Sequence, residues 1–456
     1  MLKRISPTLS SASSEAGSPA KAAPAPVLLR DASFPAPFAH GLEYSPPCRG
    51  TWNIVHTGMQ IPETHQIFIC ASGCLRGVVL TAAEMGLMGR FSSIELHEND
   101  LTGRDNEMLI IEGVADILAR LPQKPRAVLL YPACVHHFLG CNLRYVYKEL
   151  RRRFPDIAFA ECFMDPIRQT RHLTPEERLR RALGRLLPEH LPKERQVSIF
   201  GSNRKTSPAS DFIQLLQKNG WQVRDMANCA SYDEFLQLGS SRLNLCINPF
   251  SLPAVHDMKK RLQQDFLYLP QVWSMQEITA LLAELAQKIG AGPQDFTALQ
   301  ARADEALKKA QAVIGSTPIS LDFTFTFRPF GLARLLLSYG FAVTRIYADA
   351  VSSEEEQDFR WLQEHHGAAE LWPTKAAAMR VLPRPAQPAA PKNLALGQKA
   401  AYFSNTPYFV NEIEGGGIWG FAALVKLAGD MTAAYQTPKD IEANVSHKGL
   451  GGPCIL

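Results

Sequence analysis

Cysteine is the residue type that decides what chemistry this sequence could do. Nine cysteines stand at 48, 70, 74, 134, 141, 162, 229, 246 and 454, and three of them sit where the chain must change direction. Cys48 lies in the loop Ser45-Pro-Pro-Cys-Arg-Gly50, Cys74 in Ala71-Ser-Gly-Cys-Leu-Arg-Gly77 and Cys134 in Tyr131-Pro-Ala-Cys-Val-His-His137. The last two follow short apolar runs, Gln66–Cys70 and Ala127–Tyr131, that read as strands. They therefore fall at C-terminal strand ends, the edge at which open α/β sheets bind ligands. Cys74 also opens a helical pattern, and a helix N-terminus lowers a thiol pKa toward the thiolate that iron binds. Glycines beside Cys48 and Cys74 let the backbone approach a bulky group closely. Any one of these cysteines alone would read as a small buried hydrophobe. The three together in such positions point to a metal–sulfur site.

The elements that must position them alternate along the chain. Near-continuous apolar runs predict strands at Gln66–Cys70, Ala127–Tyr131, Ile157–Ala160, Gln196–Phe200, Leu243–Ile247, Phe266–Leu269, Ile319–Phe327 and Phe341–Tyr347. Runs of that kind imply burial on both faces, as in parallel sheets covered by helices. Helical periodicity is clear at Leu75–Met88, Glu107–Leu121, Ser210–Asn219, Met275–Ile289 and Phe296–Ile314. Strand and helix in alternation give βαβ units, hence an α/β fold of three Rossmann-like αβα domains with parallel sheets. The expected divisions are a disordered Ser/Ala/Pro tail over 1–35, a first domain over 36–192 with the three cysteines, a second with its linking helix over 193–314, and a third over 315–456. Pro383–Pro391 reads as an exposed extended loop.

Composition narrows the function. With 456 residues, 46% hydrophobic and 20% charged, the chain is an ordinary globular protein long enough for about three cores. A net charge of +4 is too mild to imply nucleic acid. No apolar run nears the roughly 20 residues that cross a bilayer. Nine cysteines are too sparse and odd in number for a disulfide scaffold, so reduced thiols in the cytoplasm are expected. Cys70 and Cys74 form C-x-x-x-C, but the third cysteine of a radical SAM motif is replaced by Gly77. Cys134, His136, His137 and Cys141 match no common zinc spacing. His136 or His137 could instead hydrogen-bond a cluster sulfur, or simply be a satisfied residue at a helix start. Arg178, Arg181 and Arg185 fall off the apolar face of a helix beginning near Thr174. They read as a solvated face, with docking of an acidic partner or nucleic acid as the alternative.

The cysteine separations, 74 − 48 = 26 and 134 − 74 = 60, resemble those of the nitrogenase component 1 family, which includes the dark-operative protochlorophyllide reductases. Further segments are similar to that family: His97-Glu-Asn-Asp-Leu-Thr-Gly-Arg-Asp-Asn-Glu107 with Ile111-Glu-Gly113, Ser198-Ile-Phe-Gly-Ser202, and Gly415-Gly-Gly-Ile-Trp-Gly-Phe-Ala422. The likeness covers roughly residues 40–435. It implies that Cys48, Cys74 and Cys134 ligate an iron–sulfur cluster, of 4Fe–4S or 8Fe–7S type, shared with a homologous partner subunit or a second copy. It also implies an α₂β₂-like or homodimeric assembly, and electrons delivered by a separate ATP-hydrolysing iron protein. The chain itself lacks the GxxxxGK[ST] phosphate loop, in agreement.

Departures accompany the likeness. Asn248 stands where the family's catalytic-cofactor cysteine would be, with Cys246 two residues earlier, and Gly416 stands where its histidine would be. The expectation is therefore an electron-accepting component of a nitrogenase-like oxidoreductase of unknown substrate, either the subunit that lacks the catalytic cofactor or a relative that reduces something other than dinitrogen. A scaffold for cofactor assembly is the alternative, separable by the genes that neighbour this one. A non-redox α/β binding protein is the third possibility, and a colourless anaerobic preparation would favour it.

Overall fold

The computed structural model describes residues 25–38, 53–101, 105–165, 173–201, 203–376, 379 and 391–440. Fourteen strands form three sheets among these residues. The first sheet holds β2 (Thr64–Cys70), β3 (Phe91–Glu95), β4 (Ala127–Pro132) and β5 (Ala158–Glu161) in the order β3-β2-β4-β5. The second holds β6 (Glu194–Phe200), β7 (Gln222–Asp225), β8 (Ser241–Cys246) and β9 (Asp265–Tyr268) in the order β7-β6-β8-β9. All pairs in both are parallel. The third sheet joins β10 (Pro318–Asp322), β11 (Ala342–Tyr347), β12 (Glu370–Trp372), β13 (Leu394–Leu396) and β14 (Phe409–Val410) in parallel, in the order β12-β11-β10-β13-β14. β1 (Val27–Leu28) adds antiparallel to its β12 edge.

Each sheet folds for the reason its sequence suggested. β2 is buried along its whole length, so Ile67, Phe68 and Ile69 serve both faces of a covered sheet. The helix Asn106–Arg120 begins where Asp105 accepts from the Met108 amide at 3.0 Å, and it buries Ile110, Ile111, Val114 and Leu118. The helix Pro175–Arg185 opens on a capping box between Thr174 and Glu177 with Pro175 in its first turn. It packs Leu179 and Leu183 into a core shared by the first and second sheets. A second core joins the second and third sheets.

Two readings are corrected. The tail expectation over 1–35 does not hold for residues 25–35: Val27 and Leu28 pair with Leu371 and Glu370, and Leu29 is fully buried. Three apolar residues beside a sheet edge outweigh the disordering composition before them. The predicted strand Ile319–Phe327 ends at Asp322, because the Asp322 carboxylate accepts from the Thr324 amide at 2.7 Å and turns the chain. Most of Pro383–Pro391 lies outside the described residues. No described helix is long and apolar enough to cross a membrane.

Candidate metal centre

A parallel sheet whose strand order reverses direction opens a crevice at the reversal, beyond the C-terminal strand ends. Each sheet here has one such switch point: between β2 and β4, between β6 and β8, and between β10 and β13. What fills these three crevices differs.

At the first, sulfur does. Ile69 of β2 pairs with Pro132 of β4, and the Ala133 amide donates to the Ile69 carbonyl at 3.1 Å, so the two strands end side by side. β2 continues through Ala71 into the helix Ser72–Glu84, whose first turn carries Cys74. β4 continues through Ala133 into the short helix Cys134–Phe138. Cys74 is exposed and Cys134 half-buried. Beside Cys74, a Cβ on Gly73 would meet nothing within 4 Å. Beneath them Cys70 is fully buried, and burial, reinforced by Cys74, Cys134 and Glu95, pushes its thiol up to about 12. Burial also raises the Cys134 thiol, with Asp165 and Cys74 adding to the shift.

The surroundings are polar on one side and apolar on the other. His137 Nε2 lies 3.2 Å from Asp165 Oδ2, and its ring stacks on Phe163 at 5.5 Å. His136 is buried, and its Nδ1 donates to the Ala133 carbonyl at 3.1 Å. Burial lowers its pKa. Immediately after, Phe138 is 73% exposed and Leu139 41% exposed. Both are among the exposed large hydrophobic side chains of the described residues.

The second switch point is closed. Arg180, from the helix Pro175–Arg185, is completely buried and donates to Glu176 at 2.7 Å and Asn203 at 3.0 Å. It also donates to the Gly201 carbonyl after β6, to Ser251 after β8 and to Thr57 of the helix Ile54–Met59. Asn203 in turn donates to Glu414 at 2.9 Å, which ties in the third sheet's final segment. Burial raises the Glu176 carboxyl while Arg180 pulls it down. The third switch point is closed as well: buried Asp322 accepts from the Thr324 and Ala400 amides, each at 2.7 Å, and from the Thr324 hydroxyl. A Cβ on Gly397 would strike that carboxylate at 2.3 Å, and Gly397 has φ +105°.

The model of the family described as nitrogenase component 1 type oxidoreductase matches residues 55–385. The chain belongs to this family. No curated protein sequence matches it significantly. Among solved structures, a chain of "Nitrogenase Cp1 at pH 6.5" is similar with a TM-score of 0.62 at 12% identity, covering 88% of this chain and 94% of that one. A chain of "Nitrogenase Cp1 at pH 5" is similar with a TM-score of 0.51 at 11% identity, covering 91% and 89%. At these identities the likeness shows the fold.

Within this component 1 fold, the structure brings Cys74 and Cys134 to one crevice; Cys48 lies outside the described residues. Among those residues no group of three or more His, Cys, Asp or Glu is set to hold a metal ion. Two thiols at adjacent strand ends, one exposed and one half-buried, are a donor set that suits iron and sulfide. The zinc-like spacing does not converge, because His136 faces Ala133 and Cys141 bonds to Glu107. At the departures, Cys246 is buried with its thiol raised to about 12 by burial, and Asn248 accepts from the Phe250 amide at 2.9 Å. A Cβ at Gly416 would meet the Glu412 carboxylate at 2.6 Å. The Arg180–Glu176 pair is what sequence reading missed. Its signal was present: Glu176 and Arg180 are spaced i, i+4, in step with Leu183 and Leu187 on the inward face.

Proposed function

We propose that this chain is the iron–sulfur, electron-accepting component of a nitrogenase-like two-component oxidoreductase, reduced by a separate ATP-hydrolysing iron protein. Cys48, Cys74 and Cys134 hold the cluster, and a homologous partner subunit or a second copy supplies its remaining ligands. The observation that carries this reading is the first switch point, where the strand ends present thiols outward while the other two crevices are filled by the chain's own Arg180 and Asp322.

When bound, the cluster supplies one-electron storage and transfer. The protein's contribution is positional. β2 and β4 fix the two sulfur-bearing turns through a continuous parallel ladder. The first turn of a thirteen-residue helix holds Cys74 at the strand end. Cys70 is fully buried in the core behind the two turns and does not reach the crevice. Phe138 and Leu139 offer the partner an apolar surface that excludes water from the cluster's open side.

The test is reduction by the partner protein. Anaerobic protein, mixed with an ATP-hydrolysing iron protein and MgATP, is expected to lose visible cluster absorbance, and not to do so without MgATP. A spectrum that is unchanged with and without nucleotide contradicts the electron-accepting role. The closed second switch point also favours a second reading, a scaffold that carries a cluster precursor without turning over substrate. That reading predicts transfer of iron and sulfur to an acceptor protein in place of MgATP-dependent bleaching.

A further inference from the structure

The first sheet ends in β5, whose outer edge has no strand beside it among the described residues. The Ala158 and Cys162 amides donate back to the Arg126 and Leu130 carbonyls, each at 3.1 Å. The two-residue period of a strand therefore turns the main-chain groups of Phe159 and Glu161 outward. Consistent with that direction, the Phe159 carbonyl meets Arg151 Nη2 at a long 3.4 Å. Natural edges are usually blunted by charge, bulges or proline. This one lies at the bottom of a cavity of about 520 Å³, between the helices Leu143–Arg153 and Pro175–Arg185.

The walls are basic. Arg151 lines the groove from one helix, and Arg178, Arg181 and Arg185 line it from the other. Against these four, the lining holds a single carboxylate, Glu161, which Arg151 already bonds at 3.0 Å. Arg185 pairs with Asp257 at 2.9 Å, and Arg178 lies over the Phe163 ring at 5.2 Å. Arg181, half-buried, has no ion pair among the described residues. Positions 178, 181 and 185 share one helix face, about 4.5 and 6 Å apart along the axis. Alternate side chains of an extended strand repeat at about 6.7 Å, so carboxylates on one face of such a strand match this ladder of guanidinium groups.

We propose that this groove receives an extended acidic segment of a partner protein, which adds as a fifth strand to β5 and lays its carboxylates against Arg178, Arg181 and Arg185. The outward main-chain groups supply strand pairing, and the arginines select the charge. A polynucleotide would satisfy the arginines and leave the edge amides of Phe159 and Glu161 unmet, so the peptide is the occupant the geometry favours. This site borders the cysteine crevice through Phe163, which stacks on His137, but its argument rests on the β5 edge and the arginines and not on a bound cluster.

The probe is a displayed library of random octapeptides selected on the full chain. The enriched peptides are expected to carry Asp or Glu at alternate positions. A synthetic representative should bind at least tenfold more weakly to Arg181→Glu, and nearer to wild type with Arg181→Lys. N-methylation of alternate peptide amides should cost a further tenfold. Enrichment without acidic residues, undiminished binding to a folded Arg181→Glu, or equal binding of the N-methylated peptide overturns the proposal. So does a single-stranded oligonucleotide that binds more tightly than every selected peptide.

Discussion

The first and second switch points occupy the same place in two sheets of the same strand order, yet one is open and one is sealed. Beyond β2 and β4 stand an exposed Cys74, a half-buried Cys134 and an exposed Phe138. Beyond β6 and β8 stands Arg180, buried and bonded to Thr57, Glu176, Gly201, Asn203 and Ser251, with Asn203 passing the link on to Glu414. Topology makes a crevice in both; side chains decide whether it remains a site. A guanidinium held by five partners turns the crevice into a rivet between domains. At the first, an exposed and a half-buried thiol stand at the strand ends instead.

The largest effect should come from opening the sealed crevice. Arg180→Met leaves Glu176 buried without its partner and is expected to cost about 3–5 kcal/mol in urea unfolding. The double variant Arg180→Met/Glu176→Leu should recover most of that loss, since replacing both charges removes the stranded one. Full loss in the double variant would mean that Arg180 serves the fold through packing alone.

Acid should next weaken the first sheet. His65 of β2 is buried with Nε2 2.8 Å from Ser92 Oγ, and burial, with Arg90 adding, lowers its pKa to about 4. The fold favours the neutral ring, so this contribution is complete above pH 6.5 and lost as pH falls from 6.5 through 4. At most about 3 kcal/mol is at stake. His65→Gln should show a smaller stability drop between pH 7.5 and 4.5 than wild type; equal drops would place the acid sensitivity elsewhere.

Smaller effects separate the buried thiol from the exposed surface. Cys70→Ala, at a fully buried position, should cost about 1 kcal/mol in unfolding. Phe138→Glu should change stability by no more than about 0.5 kcal/mol. If the proposed partner docks on this face, the substitution should nevertheless shift the assembly toward monomer in sedimentation, because Phe138 is exposed and not packed in the chain's own core. Unchanged assembly would remove Phe138 from the interface.

Much of this comparison was legible in the sequence. Gln66–Cys70 and Ala127–Tyr131 announced buried strands through unbroken apolar runs, and they placed Cys74 and Cys134 at strand ends. Phe91–Glu95 and Gln222–Asp225 escaped notice because both are half-polar edge strands, the first burying only Phe91 and Ile94 and the second no residue fully. The short strands Glu370–Trp372, Leu394–Leu396 and Phe409–Val410 carry too few residues for any period to show. The closure by Arg180 was hidden for another reason. A charged residue on an inward face reads as surface unless its acid partner one turn away is weighed with it. Phe138 likewise looks ordinary in sequence, since only the surrounding fold reveals that it is exposed.

The most direct test of the central claim is iron and acid-labile sulfide in anaerobically purified protein, compared among wild type, Cys74→Ala and Cys70→Ala. The account predicts iron and sulfide in the wild type, a sharp fall in Cys74→Ala and retention in Cys70→Ala, since the first thiol faces the open crevice and the second the core. Equal iron in wild type and Cys74→Ala, or an iron-free wild type produced with its partner and ample iron, would contradict it.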